Sequence, residues 1–520
     1  MSETFAPAGG ALPAEGAPLF ESAPLAELAE LATAAALAAA DTHLAPAVLV
    51  AVHDSNGVLA VQGIGEPMRD GAPVRRDTVF RIASMSKSFL AAAALALVED
   101  GRLDLARPVS DYVPGVRFVF EGREESVTLG ELLSNRSGMP EDNAWGDRQL
   151  GASREEIADL ARAGLELSAR PGERYQYSNL GMSFVGRAIE AVVGHSVEQE
   201  VRGRFIDPLG LARTRYESED YDPDVELARG FRTFDRGESF AAEPYVGSGA
   251  LACIGALFST VDDVARWASF LASSFTDAPL RPELLSPRSR REMQRVHTPI
   301  LVGDASLDRE PEALGYGLGL VVEHDRRFGR IAKHSGGLPG FTSHMRWHLA
   351  SGLGAIAFGN SDAFRAERLA SDALVRLLEA AEAPALVVRP WPATVTAVKR
   401  MDELLRTEGS VAGAGDALAS NLFRDVPDEV RRREFAILLE RLGPIVDQAS
   451  FDERVLGAND AAHLRWRIDC AGGSLICETR LVGLEAPLVQ SLSVAAAGPD
   501  GVTPESGAPV LGRNSRVLLG

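Results

Sequence analysis

The sequence predicts an α+β fold in which helices are segregated from an antiparallel sheet, followed by a small second α+β unit. Three observations predict it. A helix and a hairpin open the ordered chain, helical segments broken by Pro and Gly loops fill residues 103 to 270, and strands in close succession run from Gly315 to a closing helix. At 520 residues the chain exceeds a usual single domain, so at least two are expected.

The elements follow in order. Residues 1–23 lack a basic start and an apolar core, so they read as a disordered lead-in and not as a secretory signal. A helix is expected from Pro24 to about Asp41, with Leu25, Leu28 and Leu31 as its buried stripe. PAVLVAVHDSNGVLAVQGIGE reads as a hairpin turning at Asn56-Gly57. TVFRIAS leads into the apolar helix MSKSFLAAAALALVEDG, which Gly101 terminates. STVDDVARWASFLASS opens with Ser259 and Thr260 as candidate caps and two acids in the first turn. GRIAKHSGG, FTSHMRWHL and LGAIAFGN are strands, and DAFRAERLASDALVRLLEAAE is the last helix of this part. The first hairpin and these strands are expected to join in one sheet with the terminal helices on it.

These segments make residues 24–382 one unit. The proline-bearing stretch 383–395 reads as a linker. Residues 396–520 read as a small α+β domain with a helix at VPDEVRRREFAILLERLG and strands at HLRWRIDC and SLICETRL. Nothing in that domain suggests chemistry.

Composition narrows the function. A net charge of −20 repels phosphate backbones and argues against a nucleic-acid partner. No apolar run is long enough for a membrane span, and with no signal read, the cytoplasm is the expected location. Cys253, Cys470 and Cys477 form no CxxC pair and read as reduced packing residues, with no metal site and no cofactor implied. Of 53 basic residues only Lys87, Lys333 and Lys399 are lysine. A retained lysine is informative, because arginine cannot lose its proton to act as a base.

Chemistry concentrates in three segments. Ser84-Met85-Ser86-Lys87 places a hydroxyl and an amine on one helix face. A neutral lysine can take the serine's proton. Holding it neutral at pH 7 costs roughly 4 to 5 kcal/mol, which burial supplies. Tyr177-Ser178-Asn179 offers a proton relay and an amide that binds substrate. His334-Ser335-Gly336-Gly337 offers an edge strand for a substrate backbone, with the Gly337 N–H joining that of Ser84 as an oxyanion hole. Each segment alone is also compatible with ordinary structure: a helix cap, a loop-to-helix junction with Asn179 as cap, and a polar strand before a bend. Lys333 reads as a solvated charge. His344-x-x-x-His348 has helical metal spacing, but its alternation makes it a polar strand face. No Walker A sequence and no Gly-x-Ser-x-Gly elbow is present.

Taken together, the three segments resemble the serine β-lactamase and penicillin-binding protein superfamily, with its Ser-x-x-Lys, Tyr-x-Asn and Lys/His-x-Gly motifs in this order. LGELLSNRSGMP, FIDPLGLART, GALFSTVDDVARW, GYGLGL and GGLPGFTSHM resemble further segments of that family. The likeness covers residues 24–382. It implies a β-lactamase/DD-peptidase-like fold, an antiparallel sheet flanked by helices plus a mainly helical subdomain. It also implies that Ser84 is acylated, that Lys87 and Tyr177 manage protons, and that Asn179, His334, Ser335, Gly336 and Gly337 bind substrate. Two positions depart from the pattern. Asn135-Arg136 stand for the usual His-Thr, in a segment read as structural. His334 stands where lysine is common, and imidazole grips a carboxylate less firmly, which tilts the expectation toward the family's esterases, D-aminopeptidases and amidases. The substrate expected is a small molecule or short peptide with an ester, amide or lactam carbonyl. Acyl transfer or peptide cyclisation at the same site, or a slowly deacylating sensor, remain alternatives.

Overall fold

A computed structural model describes residues 24–301, 311–446, 449–505 and 514–519. The expected disordered lead-in, 1–23, lies outside the described residues.

The helix α1 (Leu25–Ala38) leads into β1 (Ala47–Asp54) and β2 (Gly57–Gly65). Asp54 accepts the Asn56 N–H in the hairpin turn, and Gly57 takes a positive φ there. The helix α2 (Ser86–Glu99) comes next, then α3 (Asn143–Gly146), α4 (Asn179–Val193) and α5 (Val261–Ala272). Strands β3 (Thr298–Ile300), β4 (Ala313–Tyr316), β5 (Val321–Asp325), β6 (Gly329–Leu338), β7 (Phe341–His348) and β8 (Gly354–Gly359) follow, closed by α6 (Ala366–Ala380). The sheet order is β3-β4-β5-β6-β7-β8-β1-β2, antiparallel throughout, so the first hairpin pairs onto the last strand as expected.

The continuous apolar run of β1 is explained by burial on both faces. Val48, Val50 and Val52 pack on one side with α1 and α6, whereas Leu49 and Ala51 face the helical region that contains α2. The buried stripe of α1 is Ala29, Ala32, Thr33 and Ala36, and the expected Leu31 is exposed. Small residues let α1 lie close to the sheet and α6. Beyond Ser86, Lys87 and Ser88 in its first turn, α2 is apolar all round as far as Val98, and it is buried from Ser86 to Leu97. Gly101 follows it with φ +70°, the left-handed conformation expected of a helix terminator. Thr260 caps α5 by accepting the Asp263 N–H.

The stretch read as a linker is structured. Leu386–Val388 pairs in parallel with Ser515–Val517, and α7 (Pro392–Glu408) starts within it, with Pro392 at the first turn where no N–H is needed. Beyond it, α8 (Asp428–Leu442) and an antiparallel sheet of β9 (Val455–Gly457), β10 (His463–Cys470), β11 (Gly473–Val482) and β12 (Leu488–Ala496) enclose a separate core that includes Met401, Leu404, Trp466 and Leu475. Cys470 pairs across from Gly473 and Cys477 across from Trp466, and all three cysteines are free and buried. No helix of the described residues is long and apolar enough to cross a membrane.

Candidate active site

The chain before α2 is pinned from several sides. The Ile82 carbonyl accepts Ser343 Oγ at 2.8 Å and the Met85 N–H at 3.2 Å, and the Ile82 N–H donates to Leu257. Ala83 has φ +48°, a left-handed conformation that costs a non-glycine residue energy and is held by its surroundings. Ser86 Oγ donates to the Ala83 carbonyl at 2.6 Å. This turn presents Ser84, 8% exposed, at the mouth of a helix that is otherwise buried.

Lys87, fully buried, donates from Nζ to Ser84 Oγ at 2.9 Å and to the Ile254 carbonyl at 2.9 Å. Its amine lies 5.0 Å from the centre of the Tyr177 ring. No carboxylate of the described residues forms an ion pair with it. Burial lowers its pKa to about 7, against the weaker pull of Asp147 and Asp142. The amine is therefore available as a base near neutrality. Burial holds the Tyr177 phenol well above its ordinary value, with contact to the Ser84 side chain pulling the other way.

Tyr177 is placed by its neighbours. Asn135, at φ +52°, accepts the Ser178 N–H on Oδ1 at 3.1 Å and the Gln176 N–H on its carbonyl at 2.9 Å. The departure at Asn135 is thus structural, as read. Asp142 accepts the backbone N–H groups of Asn179 at 2.6 Å and Leu180 at 3.0 Å and the Ser178 hydroxyl at 2.8 Å, satisfying the free donors at the start of α4. Ser178, not Asn179, caps that helix. Asn179 is fully buried and donates to Asn143 Oδ1 at 3.0 Å. Gly146 rests on it so closely that a Cβ there would lie 2.8 Å from that of Asn179. The expected substrate amide thus stands behind the wall, and Asn143 faces the cavity in its place.

The third wall is β6. His334 donates from Nδ1 to the Ser335 carbonyl at 2.6 Å, and its Nε2 accepts the Tyr316 hydroxyl at 3.2 Å. Burial first, and then nearby Lys87, lower its pKa to about 3, so it is neutral. Gly336 is buried and does not face the cavity. A Cβ on it would sit 2.2 Å from Ser343 Oγ and 2.3 Å from the Ile82 carbonyl, so glycine lets the strand approach the turn that carries Ser84. Lys333 is not solvated. It is 5% exposed, and its ammonium lies 2.8 Å from both Glu323 and Glu367, while Arg346 binds Glu323 at 3.1 Å. His344 and His348 do lie on a strand but are fully buried, His344 against Ser335 Oγ at 2.9 Å and His348 against the Phe328 carbonyl at 2.6 Å. No metal-holding cluster occurs among the described residues.

Ser84, Tyr177, His334, Ser335 and Gly337 meet in one cavity of about 410 Å³. Lys87 stands directly behind Ser84, and Asn179 and Gly336 support the walls. Asn143, Asp147, Tyr175 and Glu367 also line the cavity, and sequence reasoning missed them. Tyr175 lay two residues from a recognised motif. The acids of PEDNAWGD looked like any solvated loop, and only the docking of α3 on α4 turns Asp147 inward. No residue after Glu367 lines the cavity among those described.

Known structures share this architecture. The octameric penicillin-binding protein homologue from Pyrococcus abyssi superposes with a TM-score of 0.56 at 21% identity, over 87% of this chain and 96% of that one. A D-stereospecific amidohydrolase from Streptomyces sp. superposes with a TM-score of 0.53 at 24% identity, over 66% and 98%. At these identities the likeness is one of fold. Among curated relatives, the chain is 26% identical over 285 residues to Protein flp of Staphylococcus aureus (strain COL), covering 54% of this chain and 53% of that protein. It is 26% identical over 292 residues to Penicillin-binding protein 4* of Bacillus subtilis (strain 168), covering 54% and 60%. The chain thus spans little more than half the length of the curated relatives it matches. The family model described as Beta-lactamase matches residues 33–380, the span that carries all three motifs and the cavity they form, and the chain therefore belongs to the beta-lactamase family.

Proposed function

We propose that the protein is a serine hydrolase that works through an acyl-enzyme on Ser84. The observation that carries this reading is the buried amine of Lys87, 2.9 Å from Ser84 Oγ and without a carboxylate partner among the described residues. In its neutral form Lys87 takes the Ser84 proton as Oγ attacks an ester, amide or lactam carbonyl. The backbone N–H groups of Ser84 and Gly337 hold the oxyanion. Tyr177, against both Ser84 and Lys87, passes the proton to the leaving group. Water then attacks the acyl-enzyme by the reverse path. His334 and Ser335 line the strand along which the substrate lies, and Asn179 acts by holding Asn143. This chemistry calls for no metal or organic cofactor.

The catalytic unit of this reading is residues 24–382, and the unit from 396 to 520 stands apart from the chemistry. That second unit contributes nothing to the cavity lining among the described residues. It joins the first near the β5–β6 turn, where Ala385 lies against Gly329 and Arg389 pairs with Asp277.

The test is a panel of p-nitrophenyl esters, a chromogenic cephalosporin and D-alanyl amides, run on wild type and Ser84→Ala. Hydrolysis of at least one class is expected, reduced about 10³-fold or more in the variant. Mass spectrometry should show an acyl group on the peptide containing Ser84. Equal activity in both proteins defeats the reading. An adduct that persists for hours places the protein among acylated sensors instead.

A further inference from the structure

Among the described residues the cavity offers a substrate carboxylate no unpaired cation. Among its described lining residues the one cation is Lys333. That ammonium is held at 2.8 Å by Glu323 and at 2.8 Å by Glu367, and Arg346 binds the same Glu323. Two cations thus meet two carboxylates and cancel. His334 has both ring nitrogens occupied, one by a backbone carbonyl and one by a tyrosine hydroxyl. It has no free N–H to offer.

Asp147 is the opposite case. It follows α3 in the wall across from β6, and its carboxylate makes no hydrogen bond or ion pair among the described residues. Arg148 beside it is taken by Glu243. The position is well determined, because α3 is docked on the start of α4 by Asp142, Asn143 and Gly146. The positive charge that acts most strongly on Asp147 is Lys87. Burial pushes the pKa of Asp147 up to about 6, and with Lys87 neutral, the state in which it serves as a base, nothing among the described residues pairs with the carboxylate to stabilise its charged form, which a bound cation would do. Tyr175 and Tyr177 stand in the same lining, and aromatic rings also favour cations.

We propose that Asp147 receives a substrate ammonium, so that the preferred substrates carry a free amine on the acyl side: amino-acid esters and amides or short peptides with an unblocked N-terminus. The inference rests on the serine-hydrolase reading. It adds a consequence for the base. An ammonium held at Asp147 supplies the positive charge that Lys87 then does not need to carry, and its field disfavours protonation of Lys87.

The experiment compares three p-nitrophenyl esters at pH 7, of D-alanine, propanoic acid and succinic acid, each corrected for the buffer rate. Full-length wild type, Asp147→Asn and Ser84→Ala are assayed. Wild type should favour the D-alanine ester over the propanoic ester by tenfold or more in kcat/KM, with the succinic half-ester poorest. Asp147→Asn should bring the first ratio close to one, chiefly through KM. A wild-type ratio near one with activity that still requires Ser84 overturns the ammonium site and leaves the hydrolase standing. This outcome needs no folded Asp147 variant. A variant that slows all three esters equally also overturns it, because Asp147 then acts on the base and not on the substrate. Activity that survives Ser84→Ala defeats the underlying reading instead.

Discussion

Lys87 and Lys333 both have buried side chains at the same cavity, and their surroundings treat the charge in opposite ways. Lys333 sits between Glu323 and Glu367, with Arg346 completing a neutral set of four. Burial alone would raise the pKa of Glu323, but Arg346 and Lys333 outweigh it and its carboxyl lies below the usual range. Lys87 has only a hydroxyl and a carbonyl as direct partners. Burial outweighs the pull of Asp147 and Asp142 there, and its pKa falls to about 7. A buried cation with counter-ions is part of the framework. A buried cation without them has a lowered pKa and is able to serve as a base.

The largest effect that would break this comparison comes from Lys87→Met. Activity should fall 10³-fold or more. At the same time the protein should become more stable, by about 1–2 kcal/mol at pH 7, since the cost of the buried charge outweighs one orphaned Ile254 carbonyl. The sign is specific. The folded pKa of about 7 lies below the ordinary 10.5, so the unfolded chain holds the extra proton between these values. Wild-type stability should rise with pH across that window, and the advantage of the variant should shrink. Urea unfolding at pH 7 and pH 9.5 checks both.

Lys333→Met should do the reverse. Two carboxylates are left with one cation, and a loss of about 3 kcal/mol is expected. The same urea titration reads it. Activity in the folded fraction should drop far less than in Lys87→Met. If Lys333→Met stabilises the protein, the contrast between the two lysines is wrong.

The smallest effect is the pH profile of wild type. With Lys87 as base, kcat/KM for a neutral ester should rise with pH and level off above a midpoint near 7, falling about tenfold per unit below it. Titration of His334 cannot produce this limb, because its pKa is held at about 3. A flat profile from pH 5 to 8 would remove Lys87 from the proton path.

Much of this was legible locally. Ser84-x-x-Lys87 needs only helical spacing to bring its groups together. The strands read as strands because their pattern is local, and Gly101 ends α2 because only a few residue types accept its conformation. What was misread has a common cause. Leu31 is exposed because an Ala face packs closer. Lys333 is buried because Glu323 and Glu367 reach it. Asn179 is turned from the cavity because α3 covers it. The segment 383–395 is structured because Ser515–Val517, far along the chain, pairs with it.

The amino-acid order alone therefore determined the element types, the three motif segments and the pairing of hydroxyl with amine, all of which depend on neighbours within a few residues. The tertiary structure decided which charges are matched and which are not, because that depends on groups brought together from positions as distant as 87, 147, 333 and 367. Electrostatic free energy in a cavity is set by distance in space and by exclusion of water, and neither is written in sequence separation.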